Sequence, residues 1–539
     1  MIKDEGLTRW SPGSKEASFG FNELIDASSQ IRESQHIIIN EETQQLGVGL
    51  KGHIASNHSL KETFPLVGLI PPLYPEWLGD RSFQSVHNTR FSYIGGAMAR
   101  GIASAELVIA LAESGMMGFF GSAGLSLNRL EKELNTLTSA LNPRGLPWGM
   151  NLIHTPNELH LESAIVDLYI KYGVNKVEAA AFMGMSKALA QFAFTGLQQD
   201  QQGNIVRKHH VFAKISRPEV AKHFLTPVPS ALLNTLVSEG KLTADEANLA
   251  SQICLAEDIT VESDSGGHTD GRPLGPLFSE ILQLRNQLCA QYQYPTWPRV
   301  GAAGGLGTPT AVAAAFSMGA AYVCIGSVHQ ACVESGMSSL GKKMLGEAGL
   351  ADVALTACAD MFEQGVKVQV LKRGTLMSQR GNYLYNLYIN HKSIDEIPAR
   401  DLEKLEQQIF KAPLTEIWTE TEAFFTKVEP SQVVRAATEP KHKMALIFRW
   451  YIGKSSQWPL QATTDRQLDY QIWCGPALGA FNQWVKGTFL EPVENRQVKQ
   501  VALNLLEGAA IITKAQQLKT YGVGIGEEAF FYTPQQMSL

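Results

Sequence analysis

The sequence predicts an α/β protein built on a (β/α)8 barrel, with an N-terminal extension before it and a mainly helical region after it. Three observations carry that prediction. Eight short β-type or small-residue runs lie between residues 92 and 326, and helical patterns separate them. Strands divided by helices pair in parallel through right-handed crossovers. The last two runs end in glycine-rich turns, GAAGGLGTP (301–309) and CIGSVH (324–329), where barrels of this kind carry an anion site. An open doubly wound sheet is the competing solution to the same alternation. The resulting division is 1–85 for the extension and a proline-rich connector, 86–345 for the barrel and 346–539 for the helical region.

Residues 1–60 scatter Ser, Gln, Asn and charge among few apolar residues and read as irregular, with HIIIN (36–40) as one strand. GLIPPLYPEWLGD (68–80) reads as an extended connector. The barrel strands are then expected at 92–97, 117–121, 146–153, 174–179, 210–216, 258–263, 298–305 and 320–326. Helices are expected between them at 105–114, 126–141, 158–172, 186–194, 277–288 and 310–318. Within 158–172, Leu159, Ala164, Ile165, Leu168 and Ile170 supply most of one apolar stripe. The stretch 217–257 exceeds an ordinary crossover and is expected to add two short helices. Beyond residue 345 the clear helices are 399–410, 417–428, 443–453 and 495–515.

Composition bounds the function. The 539 residues are 44% hydrophobic and 18% charged, enough apolar material for a large core. Lys+Arg 46 against Asp+Glu 52 leaves −6, which favours neither nucleic acid nor an anionic membrane as partner. Six cysteines without a CxxC pair give neither a disulfide scaffold nor a metal-ligand spacing, so no metal is expected. The polar start MIKDEGLTRW is unlike a signal peptide, and the most apolar stretch, 301–328, is cut by glycines and Pro309. A cytoplasmic enzyme without a membrane span is the expectation. GVGLKG (47–52) matches GxGxxG, yet no buried strand precedes it and HIASNHSLK is a poor helix, so no dinucleotide fold is expected there.

In a parallel barrel the chemistry sits at the carboxyl ends of the strands. Gly304, Gly305, Gly326 and Ser327 follow strands seven and eight, where bare amides can cradle a phosphate. Strand six ends in ESDSGGHTDG (262–271), where Gly266 and Gly267 let the chain turn and present His268 over the mouth. An imidazole there can donate or accept a proton near neutral pH. Lys214 ends strand five and reads either as facing the ligand or as a surface snorkel, and Asn151 after strand three and Glu178 at the end of strand four read either as ligand contacts or as polar residues that solvate the mouth. Lys367, Lys372 and Arg373 in KVQVLKRG offer a local basic patch, and Trp450, Trp458, Trp473 and Trp484 read as core or as a cover over the mouth.

GGAMARGIASAELVIALAESGMMGFFGSAG (95–124), SGGHTDG (265–271) and AAGGLGTPTAVAAAFSMGAAYVCIGS (302–327) resemble the nitronate monooxygenase and enoyl reductase superfamily of FMN-dependent barrels. DRSFQSVHNTRFSYIGGAMA (80–99), VKVQVLKRGTLMSQRGNYLYNLY (366–388) and LDYQIWCGPALGAFNQWVKG (468–487) resemble, more closely, the PfaD-type enoyl reductase subunits of polyunsaturated fatty acid and polyketide synthases. The resemblance implies FMN with its phosphate at Gly304, Gly305, Gly326 and Ser327. It implies an isoalloxazine lined by Ala97, Met98 and Gly121, and polar contacts from Asn151, Glu178 and Lys214. His268 takes the place of the superfamily's active-site histidine. The implied reaction is reduction of trans-2-enoyl thioesters on an acyl carrier protein with NADPH or NADH, and a homodimer is the implied assembly. Nitronate oxidation with O2, or a non-catalytic assembly role, are the alternatives.

Overall fold

In a computed structural model, which describes residues 8–55, 63–155 and 159–538, the eight runs close into a parallel barrel. Its strands are Tyr93–Gly95, Met117–Phe120, Trp148–Ile153, Lys176–Ala180, His210–Ile215, Asp258–Glu262, Arg299–Ala303 and Val323–Ile325. The eighth returns to the first at Val323↔Tyr93, Cys324↔Ile94 and Ile325↔Gly95, so the open sheet is excluded. Residues 1–7, Glu158 at the head of one expected helix and the end of HIASNHSLK lie outside the described residues.

Small and β-branched residues make the strands, while leucines on the covering helices fill the layer between. Leu107, Leu111, Leu130, Leu134 and Leu137 are all fully buried there. The amino end of the barrel is plugged. Phe83, from the helix Arg81–His87, stacks on Tyr322 at 4.7 Å, and Phe119 and Phe212 complete the cluster. Beside them Arg299 grips Asp258 with two hydrogen bonds of 2.7 and 2.8 Å, and His87 Nε2 lies 2.9 Å from the same carboxylate. With that end filled, open space is left at the carboxyl ends.

Three features differ from the expectation. Strand eight is not followed directly by its helix. The chain leaves through a 3-10 turn, His329–Ala331, and builds the C-terminal region first. The outer place between the helices Pro309–Ser317 and Ala105–Glu113 is taken by Val498–Thr520, whose Gly508 lies directly on Pro309. The region 346–539 is thus interleaved with the barrel.

Residues 1–60 are also less irregular than they read. With Phe64–Ile70 they form a five-stranded antiparallel sheet in the order Leu46–Gly49, Gln35–Ile39, Phe64–Ile70, Arg9–Ser11, His53–Ala55. The strands are too short to show alternation, and their glycines make room for a ring. A Cβ on Gly49 or Gly52 would come within 2.6 or 2.3 Å of the buried Trp10 indole, so GVGLKG is the end of the strand Leu46–Gly49 and the link to His53–Ala55, packed on tryptophan.

The C-terminal region, though mainly helical, holds strands Val353–Ala357 and Lys367–Leu371. They form a three-stranded antiparallel sheet with Gly267–His268 from the barrel's sixth loop. KVQVL, noted for its cations, is therefore a strand. Between strands five and six, Ser230–Ser238 and Ala244–Ala250 are the two added helices beside the crossover helix Pro218–Leu225.

Candidate active site

A cavity of about 710 Å3 occupies the carboxyl end of the barrel, bounded by loops from all eight strands and roofed by the C-terminal region. Ala97, Met98, Asn151, Glu178, Lys214, Gly266, Gly267, His268, Gly304, Gly305, Gly326 and Ser327 all line it. Gly121 does not. It lies behind the wall, where a Cβ would come within 1.6 Å of the Met98 carbonyl oxygen, and this closeness holds the Ala97–Met98 backbone across the mouth.

The glycine turns of strands seven and eight form one face. Gly304 and Gly305 take φ of +84 and +70°, the left-handed region that favours glycine, and so turn the chain sharply after Ala303. The amides of Gly304, Gly305, Gly326 and Ser327 meet no acceptor among the described residues. A Cβ placed on Gly305 or Gly326 would meet nothing within 4 Å, so the space before those amides is open. Unpaired amides around an opening, with the helix Pro309–Ser317 starting just beyond, fit an anion such as the phosphate of FMN.

Polar groups meet on the floor. Lys214 Nζ pairs with Glu262 at 2.9 Å. Burial disfavours the lysine's charge, but Glu262 and Glu178 outweigh it and hold the ammonium well above its usual pKa. Glu178 is fully buried, which raises its pKa despite Lys214, and it accepts a 3.0 Å hydrogen bond from the Ala97 amide. Asn151 donates to the Glu178 carbonyl at 3.0 Å, so the ends of strands three and four are tied together. A ring laid over this floor would meet one cation and two carboxyl groups.

His268 lines the cavity from the loop after strand six, with φ of +81° at Gly267 in the turn before it. Its Nε2 lies 3.4 Å from Asp360 Oδ2, a charge pair rather than an in-line hydrogen bond. Burial opposes charge on both partners. For His268 the carboxylate outweighs it, and the imidazole pKa is raised. For Asp360 the imidazole outweighs it, and the pKa falls to about 2. The buried Cys358 thiol completes a group whose ligand atoms all lie within 4.8 Å of one another. Burial, with Asp360 adding to it, raises the pKa of that thiol.

Sequence reasoning missed Asp360 and Cys358, because they reach His268 only through pairing of Gly267 and His268 with Gln369 and Val368. The roof has a second clasp: Ser327 Oγ accepts from the Gly475 amide at 2.9 Å, and Gly266 lies against Cys474. Of the four tryptophans, Trp473 lines the cavity, Trp458 is buried, and Trp450 and Trp484 pack at core edges. Of the three cations, Lys367 lines the cavity, whereas Arg373 pairs with Asp352 at 3.6 Å. Arg100 and Ala181, also on the cavity wall, are non-glycine residues at φ of +60°. Such conformations cost about 1–3 kcal/mol each and persist where surroundings enforce them.

Comparison with known proteins agrees with this architecture. Residues 83–394 match the nitronate monooxygenase family, and residues 391–470 match the inserted helical domain of [acyl-carrier-protein] S-malonyltransferase. The chain is 41% identical over 467 residues to one of the polyunsaturated fatty acid synthase proteins of Thraustochytrium sp., covering 85% of this chain and 31% of that one. It is 41% identical over 446 residues to polyketide biosynthesis protein PksE of Bacillus subtilis, covering 83% of this chain and 58% of that one. The chain therefore spans only part of the curated relatives it matches. The enoyl reductase domain of MlnA, from the macrolactin cluster of Bacillus amyloliquefaciens, superposes with a TM-score of 0.79 at 36% identity, covering 83% of this chain and 99% of that one. The chain belongs to the nitronate monooxygenase family of barrels and, within it, to the PfaD-type group found in polyunsaturated fatty acid and polyketide synthases.

Proposed function

We propose that this protein is an FMN-dependent enoyl reductase that acts in trans on trans-2-enoyl thioesters carried by an acyl carrier protein, with NADPH or NADH as donor. The observation that carries the reading is the shared cavity, lined by an ion-paired histidine, by four amides that meet no acceptor among the described residues, and by the Lys214, Glu178 and Glu262 charges. Bound FMN would supply the hydride transfer between nicotinamide and alkene. The amides of Gly304, Gly305, Gly326 and Ser327 would hold its phosphate. Ala97 and Met98 would support the ring, and Asn151, Glu178 and Lys214 would face its polar edge. Gly121 supports this wall from behind.

When the β-carbon of an enoyl thioester gains hydride, charge collects on the thioester oxygen and the α-carbon needs a proton. His268, whose pKa Asp360 raises, is the donor on hand, a role worth roughly 10²–10⁴-fold. The roof from the C-terminal region covers part of this cavity and carries Asp360 to His268. A cytoplasmic homodimer serving a synthase completes the reading.

The test separates two half-reactions. The flavin-loaded protein is mixed anaerobically with NADPH until its absorbance bleaches, and a crotonyl thioester on a carrier is then added. Recovery of the absorbance is expected, and His268→Ala should slow recovery at least 100-fold while bleaching changes little. Equal slowing of both halves removes His268 as proton donor. Nitronate turnover with O2, and no recovery with the enoyl thioester, replaces the reductase with an oxygenase.

A further inference from the structure

Arg100 lines the cavity between the loops of strands one and two. Its amide donates to the Ala123 carbonyl at 2.8 Å, and its guanidinium lies over Gly124, where a Cβ would come within 3.8 Å of Cζ. No carboxylate pairs with it and no acceptor takes its side-chain hydrogens among the described residues. Two other cations on the barrel's own loops differ: Lys214 is tied to Glu262, and Arg217 to Asp270 at 2.7 Å. Burial lowers the pKa of Arg100 with no acid to offset it. Its left-handed backbone is strained for any residue with a side chain. A partly buried fork of donors, left uncompensated in a ligand cavity on a strained turn, matches an anion that arrives with a ligand.

We propose that Arg100 is the binding residue for a phosphate group of the second ligand, the one that shares the cavity with the flavin. This deepens the reductase reading and rests on it for the identity of that ligand. Two sources carry the same chemistry: the phosphates of the nicotinamide dinucleotide, and the phosphate of the carrier's phosphopantetheine arm. The cradle at Gly304, Gly305, Gly326 and Ser327 is a separate set of donors on the neighbouring loops, so the flavin phosphate does not need Arg100.

Arg100→Asn is the informative variant, because asparagine accepts a left-handed backbone and carries no charge. Flavin-loaded wild type and variant are compared by calorimetry with 2′,5′-ADP and with 4′-phosphopantetheine, and pantetheine serves as the phosphate-free control. The wild type should bind one phosphate ligand well above its control, and Arg100→Asn should lose about 10- to 100-fold of that affinity. Arg100→Lys should recover part of it, with charge but no fork. Loss with 2′,5′-ADP alone assigns the dinucleotide; loss with 4′-phosphopantetheine alone assigns the carrier arm. Unchanged affinity for both ligands, or a loss confined to FMN retention, overturns the proposal. These measurements need no turnover, so they stand even where enoyl thioesters are not reduced, a result that would remove only the reductase reading. Equal melting temperatures of the two apoproteins exclude unfolding as the cause.

Discussion

An imidazole pressed against a carboxylate gives up its proton later than a free one, and His268 has Asp360 for that purpose. In the proposed role of general acid His268 works while protonated, so activity should fall as pH rises through its raised pKa. Asp360→Asn removes the charge that raises it. The fall in kcat should then move to lower pH by about one unit or more, readable in a pH–rate profile of the thioester half-reaction. A profile that stays in place would leave Asp360 a structural role alone. The place of His268 on the cavity was legible because it follows two glycines in the loop after a buried strand. Asp360 was not, since its contact with the histidine exists only through strand pairing between distant segments. Arg100 sits inside GGAMARGIA, but that it meets no partner among the described residues is a property of the fold.

At the level of elements, the roof is held to the barrel by backbone contact. A methyl group on Gly266 would stand 2.6–2.8 Å from the N, Cα and C atoms of Cys474, and neither chain has a flexible end to yield. Gly266→Ala should therefore cost about 1–3 kcal/mol in urea unfolding and weaken FMN retention, because Ser327 is tied to the same segment through Gly475. Wild-type stability and flavin content in that variant would show that the clasp is slack. The eight strands and six of the helices between them were readable from the alternation of strand-like and helical runs, though within Leu159–Lys171 the buried face is Glu162, Val166 and Tyr169 and Leu159 is exposed. The N-terminal sheet was not, because three- to five-residue strands with glycines against Trp10 give no alternation. KVQVL does alternate, yet its place beside His268 depends on a partner strand supplied by the barrel.

Across the whole molecule, the plugged end sets stability and the open end sets chemistry. Burial works against the Asp258 charge, but Arg299 and His87 outweigh it and depress its pKa. A depressed carboxylate stabilises the fold above its unfolded pKa, near 3.9, and that contribution is lost as pH falls through the folded value. Asp258→Asn strands the buried Arg299 guanidinium, so a loss of about 3–5 kcal/mol is expected, with a lower urea midpoint at neutral pH. The variant should also lose less on acidification than the wild type, and a parallel response would disprove the linkage. The barrel was legible as a class from its alternation. The source of its eighth outer helix was not, because Val498–Thr520 carries a buried surface nearly all round and names no partner.

That late-arriving helix has a consequence for biosynthesis. A ribosome releases the strands long before the segment that seals the seam between the seventh and first of them. Through that interval the nascent chain carries an uncovered greasy flank, and the catalytic half cannot be cut out as a free-standing unit by stopping translation after strand eight. Roof and barrel must mature together.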